Sequence, residues 1–145
     1  MKKVLLGILA VFILIQFYRP EKNDSKNEMN AMSTVMEIPV EVNKIIETSC
    51  ADCHSNSTKY PWYNKIAPVS WYLAWHVNEA KEKLNFSEWA AYNKDQKAHV
   101  LKNIKEVLNE REMPLESYIL LHKNAKLTEN QYQILYDWAI AIKVE

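Results

Sequence analysis

The 145-residue sequence predicts an all-α domain, on three observations. Its one glycine, Gly7, lies in an apolar amino-terminal run, so the rest of the chain has none for hairpin turns that demand positive φ. Apolar residues recur at helical spacing in four stretches. Polar residues able to cap a helix, Ser70 and Thr128 among them, stand where two of those stretches begin.

The first element is not part of the domain. Lys2 and Lys3 precede the run from Val4 to Tyr18 (VLLGILAVFILIQFY), the layout of a secretory signal, and the chain is read as exported. Gln16-Phe17-Tyr18-Arg19-Pro20 offers no small-x-small cleavage site and no lipid-acceptor cysteine, which favours an uncleaved signal anchor or transmembrane segment over residues 1–20. Cleavage near Ala31 is the alternative. The run falls short of the roughly 20 residues of a full span, and Lys2, Lys3 and Arg19 would snorkel to the interfaces. The lysines keep the short amino-terminal end cytoplasmic and place the remainder in the periplasm, tethered to the inner membrane. Residues 21–36 (EKNDSKNEMNAMSTVM) are polar, with little apolar periodicity, and read as a tether. The folded domain is expected over 37–145.

Within it, Pro39 suits a first helical turn, and Val42, Ile45 and Ile46 form an apolar face running into Cys50. After a loop containing Tyr60-Pro61-Trp62-Tyr63, Ser70 is placed to cap a second helix carrying Trp71, Trp75 and Leu84. Asn85 and Glu88 read as a capping pair for a short turn with Trp89. A third helix, Asp95 to Asn109, has Val100, Leu101, Ile104, Val107 and Leu108 on one side and charge on the other. A helical turn over Ser117 to His122 precedes the last helix. That helix opens on the capping box Thr128/Gln131 and buries Tyr132, Leu135, Trp138, Ala139 and Ile142.

Chemistry enters at the end of the first domain helix. Cys50-Ala51-Asp52-Cys53-His54 holds the only two cysteines of the chain, with a histidine directly after the second. C-x-x-C-H reads as an attachment site for c-type haem. Two thiols one helical turn apart can each add to a haem vinyl group, and the next residue's imidazole is then held against the iron. A thioredoxin-like dithiol would want a βαβ setting, and a zinc site would want a second ligand cluster. The sequence has neither. A disulfide across so small a loop would add little stability.

Met113 is the candidate for the sixth coordination position, since it is the only methionine after the motif and thioether sulfur opposite histidine is an established axial pair. Glu110-Arg111-Glu112 makes its approach hydrophilic, and Pro114 disfavours helical geometry at Met113, which argues for a loop rather than a gap-filling core position. His76, beside Trp75, is the rival and would give a bis-histidine iron. It reads equally as a buried histidine satisfied by a carbonyl. His99 belongs to a charged helix, and His122 suits a helix terminus. Trp62, Tyr63, Trp71, Tyr72, Trp75 and Trp89 are core residues or partners of the porphyrin face and its propionates.

Formal charge balances at zero, with no basic run, so no nucleic-acid partner is expected. The acids near Met113 are too solvated for acid–base catalysis, and no Ser/His/Asp arrangement can be assembled, so the chain is not expected to be an enzyme. A helical domain of this size has a modest core, and burial of a porphyrin would add apolar contact at about 25 cal/mol per Å². The haem-free domain is therefore expected to fold poorly.

The succession Cys50-x-x-Cys53-His54-Ser55-Asn56, Tyr60-Pro61-Trp62-Tyr63, Ile66-Ala67-Pro68-Val69-Ser70-Trp71, His76-Val77, Leu84-Asn85-Phe86-Ser87-Glu88-Trp89, Met113-Pro114 and Ser117-Tyr118 resembles the bacterial haem-binding domain family, short membrane-tethered proteins similar to cytochrome c. The likeness runs from about Val40 to Trp138. It implies a small cytochrome c-like helical domain with one covalent haem c on Cys50 and Cys53, His54 as proximal ligand and Met113 in the place of the family's Met-Pro motif. Ala80-Lys81 stand where the family has Gly-Arg, and Leu115 replaces a second proline. The expected function is one-electron transfer with a redox partner protein at the outer face of the inner membrane. The alternatives are a gas- or peroxide-reactive haem with an open or histidine-ligated sixth position, and a haem-free dithiol protein.

Overall fold

Val42, Ile45 and Ile46 are spaced to share one helix face, and that face is buried against Leu108, Leu127 and Leu135. The computed structural model in which this is seen describes residues 1–144. Its helices are α1 (Lys2–Ile15), α2 (Val40–Ser49), α3 (Ala51–His54), α4 (Val69–Lys83), α5 (Lys94–Glu110), α6 (Glu116–Ile119) and α7 (Glu129–Ala141). Short 3₁₀ turns occupy Met32–Thr34, Trp62–Lys65, Phe86–Ala91 and Lys123–Ala125. Among the described residues there is no strand, only an isolated bridge between Asp24 and Ser57. The all-α expectation holds.

α5 packs against α7, and α2 also contacts α7. A second apolar cluster, Met32, Leu84, Trp89, Val100 and Leu101, continues the core, with Ile38, Phe86, Ile104 and Trp138 packed against both. Two capping boxes start the long helices. Thr128 with Gln131 opens α7 as read from the sequence, and Asn93 with Gln96 opens α5 one residue before the expected start. Each box satisfies two backbone donors, and losing the cap would cost about 1 kcal/mol.

Some expectations need correction. Ser70 does not cap α4: Pro68 holds the N-cap position, and Ser70 is buried in the first turn, as the second residue of the helix. Asn85 does cap its turn, accepting from the Ser87 N–H at 3.0 Å, but Glu88 turns its carboxylate to the side-chain amides of Asn56 (2.8 Å) and Asn30 (3.1 Å).

Residues 21–36 pack along the domain rather than standing clear of it. Asn23 donates to the Ser55 carbonyl at 2.7 Å and accepts from the Thr58 N–H at 2.9 Å, and Glu28 accepts from the Ser87 hydroxyl at 2.9 Å. Met32 is 1% exposed in the second core cluster. The polarity that suggests a linker is used instead to pair with the polar loop after the cysteine motif.

The membrane segment also needs restating. α1 has 14 residues and buries none of them, and at 1.5 Å per residue it reaches about 21 Å against a hydrocarbon core of about 30 Å. Among the described residues no helix is long and apolar enough to cross a membrane. α1 ends where Gln16 pairs with the Ala67 backbone, donating at 3.1 Å and accepting at 2.9 Å. The Trp71 indole donates to the Tyr18 carbonyl at 3.0 Å.

Candidate functional site

Cys50 breaks the first domain helix. Its φ of −128° separates α2 from α3, so the cysteine motif forms a turn of its own rather than the end of the preceding helix. The Cys50 carbonyl accepts from the Cys53 N–H at 3.1 Å and the His54 N–H at 3.0 Å. That turn brings both thiols and the imidazole to one cleft of about 530 Å³. Its walls are largely apolar, with Ile46, Leu84, Phe86, Val100, Ile104, Leu135 and Trp138 among them.

His54 is fixed from behind. Its Nδ1 lies 3.0 Å from the Leu84 carbonyl, and Phe86 meets the ring edge-on at 6.5 Å. With Nδ1 as the N–H donor, Nε2 keeps a free lone pair, the arrangement that orients a metal-ligating imidazole. Burial lowers the His54 pKa against an opposing hydrogen bond to Leu84. The neutral, ligating form is thereby favoured.

Burial, aided by the Cys53 charge, pushes the Cys50 thiol up to about 12, and burial with the Asp52 charge pushes Cys53 up to about 11. Thiols so raised stay protonated at neutral pH. A dithiol exchange protein needs the reverse, an accessible thiolate.

Met113 lines the same cleft, together with Pro114 and Leu115. α5 stops at Arg111, which takes the left-handed conformation (φ 56°, ψ 32°), pairs with Glu129 at the start of α7 and lies 5.1 Å over the Tyr132 ring. The Tyr132 hydroxyl then donates to the Met113 carbonyl at 2.9 Å. Two side chains of the last helix thus hold the methionine loop from outside. From within, Tyr118 of α6 donates to Asp52 Oδ2 at 2.7 Å.

Of the rival histidines, His76 does line the cleft. His99 is exposed on α5, its Nε2 3.1 Å from the Asn103 amide. His122 stacks on Tyr118 at 4.2 Å, lies 3.4 Å from the Tyr63 hydroxyl and lines a different hollow. Among the six aromatics considered from the sequence, only Trp75 lines the cleft. Trp89 is core, and Trp62 is 75% exposed. Lys81 turns away, donating to Asn23 at 2.6 Å. Sequence reasoning missed Phe86, Tyr118 and Trp138 as lining residues and had no signal for the Leu84 carbonyl, a backbone group.

An apolar cleft holding two protonated thiols, an oriented neutral imidazole, a thioether and an unpartnered imidazole nitrogen on His76 fits a haem. The family described as Haem-binding domain matches residues 10–141, and with it the cleft defines a haem protein. The chain belongs to that family. The matched span includes 21–36, in keeping with that segment's packing on the domain. No curated protein and no solved structure matched.

Proposed function

We propose that this chain is a monohaem c-type cytochrome that carries one electron. The observation that carries the reading is the convergence of Cys50, Cys53, His54 and Met113 on one cleft. Cys50 and Cys53 would hold the haem covalently, through thioether bonds formed by S–H addition to its two vinyl groups, which would consume no further reactant. His54 Nε2 and the Met113 sulfur would hold the iron, and the bound group would supply a ferric/ferrous couple. The protein's own part is to exclude water with the apolar walls, to orient His54 through Leu84, and to hold the Met113 loop through Tyr132 and through the Tyr118–Asp52 bond. With His54 and Met113 both engaged, the bound group would offer no open site to a substrate.

The domain works at the periplasmic face of the inner membrane, where C-x-x-C-H motifs receive haem in bacteria. Its exposed apolar helix α1 is the tether. The test is a pyridine haemochrome spectrum of protein from a host competent in c-type maturation. A thioether-type spectrum with one haem per chain is expected. A vinyl-type spectrum, or haem extracted by acidified organic solvent, contradicts the reading.

A further inference from the structure

One polar atom in the cleft has no partner. His76 Nε2 is shut off from solvent and meets no hydrogen-bonding group among the described residues, a costly state unless something entering the cleft meets it. The ring is held in place, with Tyr72 edge-on at 4.2 Å and Trp75 at 4.7 Å.

Helix α4 also indicates where this atom stands. Leu84, which ends α4, offers its carbonyl to His54 Nδ1, and a coordinating imidazole turns Nδ1 away from the metal. The last turn of α4 therefore backs the His54 ring, on the side away from any metal that Nε2 would hold. His76, Ala80 and Lys83 line the cleft at i, i+4 and i+7, one face of that helix. The loop after α5 brings Met113 to the same cleft from another element.

The charges around the cleft are unevenly shared. Asp52, Glu79, Glu106, Glu110 and Glu112 are carboxylates, Asn103 adds a neutral amide, and Lys83 is the one lysine or arginine among the lining residues. Haem brings two propionate carboxylates of its own. The carboxylates clustered on α5 and its following loop repel them. The α4 face carries one carboxylate, Glu79, and on either side of it an imidazole N–H and an ammonium about two turns, or roughly 10 Å, apart.

We infer that His76 Nε2–H and the Lys83 ammonium each receive a haem propionate, which makes His76 a positioning residue rather than an axial ligand. The inference rests on haem occupying this cleft, which the haemochrome spectrum checks separately. In the ferrous holoprotein, NMR is expected to show a slowly exchanging His76 Nε2 proton with a nuclear Overhauser contact to propionate methylene protons. In resonance Raman spectra, His76→Leu and Lys83→Met shift the propionate bending band while His76→Gln, which keeps an N–H donor, leaves it near its wild-type position. All three keep the sulfur-to-iron band. A wild-type protein without that band, whose iron spectrum changes from bis-histidine type in His76→Leu, would make His76 a ligand and overturn the inference. So would a loaded wild-type protein whose Nε2 proton contacts no propionate. Should His76→Leu fail to load haem, the wild-type contact and exposed Lys83→Met decide alone.

Discussion

Tyr118 donates its hydroxyl to Asp52 Oδ2 at 2.7 Å across 66 residues of chain. Asp52 stands between the two cysteines, and Tyr118 follows the Met113-Pro114 pair, so one hydrogen bond ties the attachment turn to the segment behind the proposed sixth ligand. Tyr118→Phe removes the donor and leaves the carboxylate facing its ring. A loss of about 1–2 kcal/mol in denaturant unfolding is expected, together with faster carbon monoxide binding to the ferrous protein as the methionine loop loosens. Unchanged ligand-binding kinetics would separate Tyr118 from the loop's rigidity.

The same tyrosine sets a pH dependence. Burial first, then the hydrogen bond to Asp52, raises the Tyr118 pKa well above its ordinary value. In the unfolded chain the phenol ionises near pH 10, while in the folded protein it stays protonated. The folded state then binds more protons at high pH, so its stability is fully present below about pH 10 and is lost as pH rises further. Denaturant midpoints measured between pH 8 and 11 are expected to fall above pH 10 in the wild type and to fall less steeply in Tyr118→Phe.

Met32 tests the packing of residues 21–36. It is 1% exposed among Leu84, Trp89, Val100 and Leu101, so Met32→Ala opens a cavity and is expected to cost about 2–4 kcal/mol. Limited proteolysis is expected to spare the wild-type segment and to cut it in the variant. A flexible tether would be cut in both, and the substitution would cost nothing.

Haem removal supplies a broader test. With Cys50 and Cys53 both replaced by alanine, the cleft walls lose the surface they are shaped to cover, and apolar burial is worth about 25 cal/mol per Å². Circular dichroism is expected to show lower helix content and a broader, earlier melt. A double variant that melts like the loaded protein would show that the helices hold the cleft open unaided.

Much of the site was legible because its chemistry is side-chain chemistry at short spacing. Cys50, Cys53 and His54 sit on one turn, and Pro114 marks Met113 as a loop residue. The faces of α2, α5 and α7 follow from Val42, Val100 and Leu135 with their helical neighbours, and Thr128/Gln131 announces its capping box. What the sequence hides are pairings at long range. The partner of His54 is a backbone carbonyl, which any residue at position 84 would supply. Asn23, Glu28 and Asn30 look like linker residues until Asn56, Ser87 and Glu88 are folded beside them. Met29, Met32 and Met36 are scattered apolar residues in a polar stretch, and which of them is buried follows only from the packing of Met32 against Leu84, Trp89, Val100 and Leu101.

The coordination sphere itself is tested most directly by the near-infrared spectrum of the ferric holoprotein, taken alongside Met113→Ala. The account predicts a sulfur-to-iron band in the wild type that disappears in Met113→Ala and persists in His76→Leu. A wild-type spectrum without that band, in a ferrous protein that binds carbon monoxide at once, would contradict it.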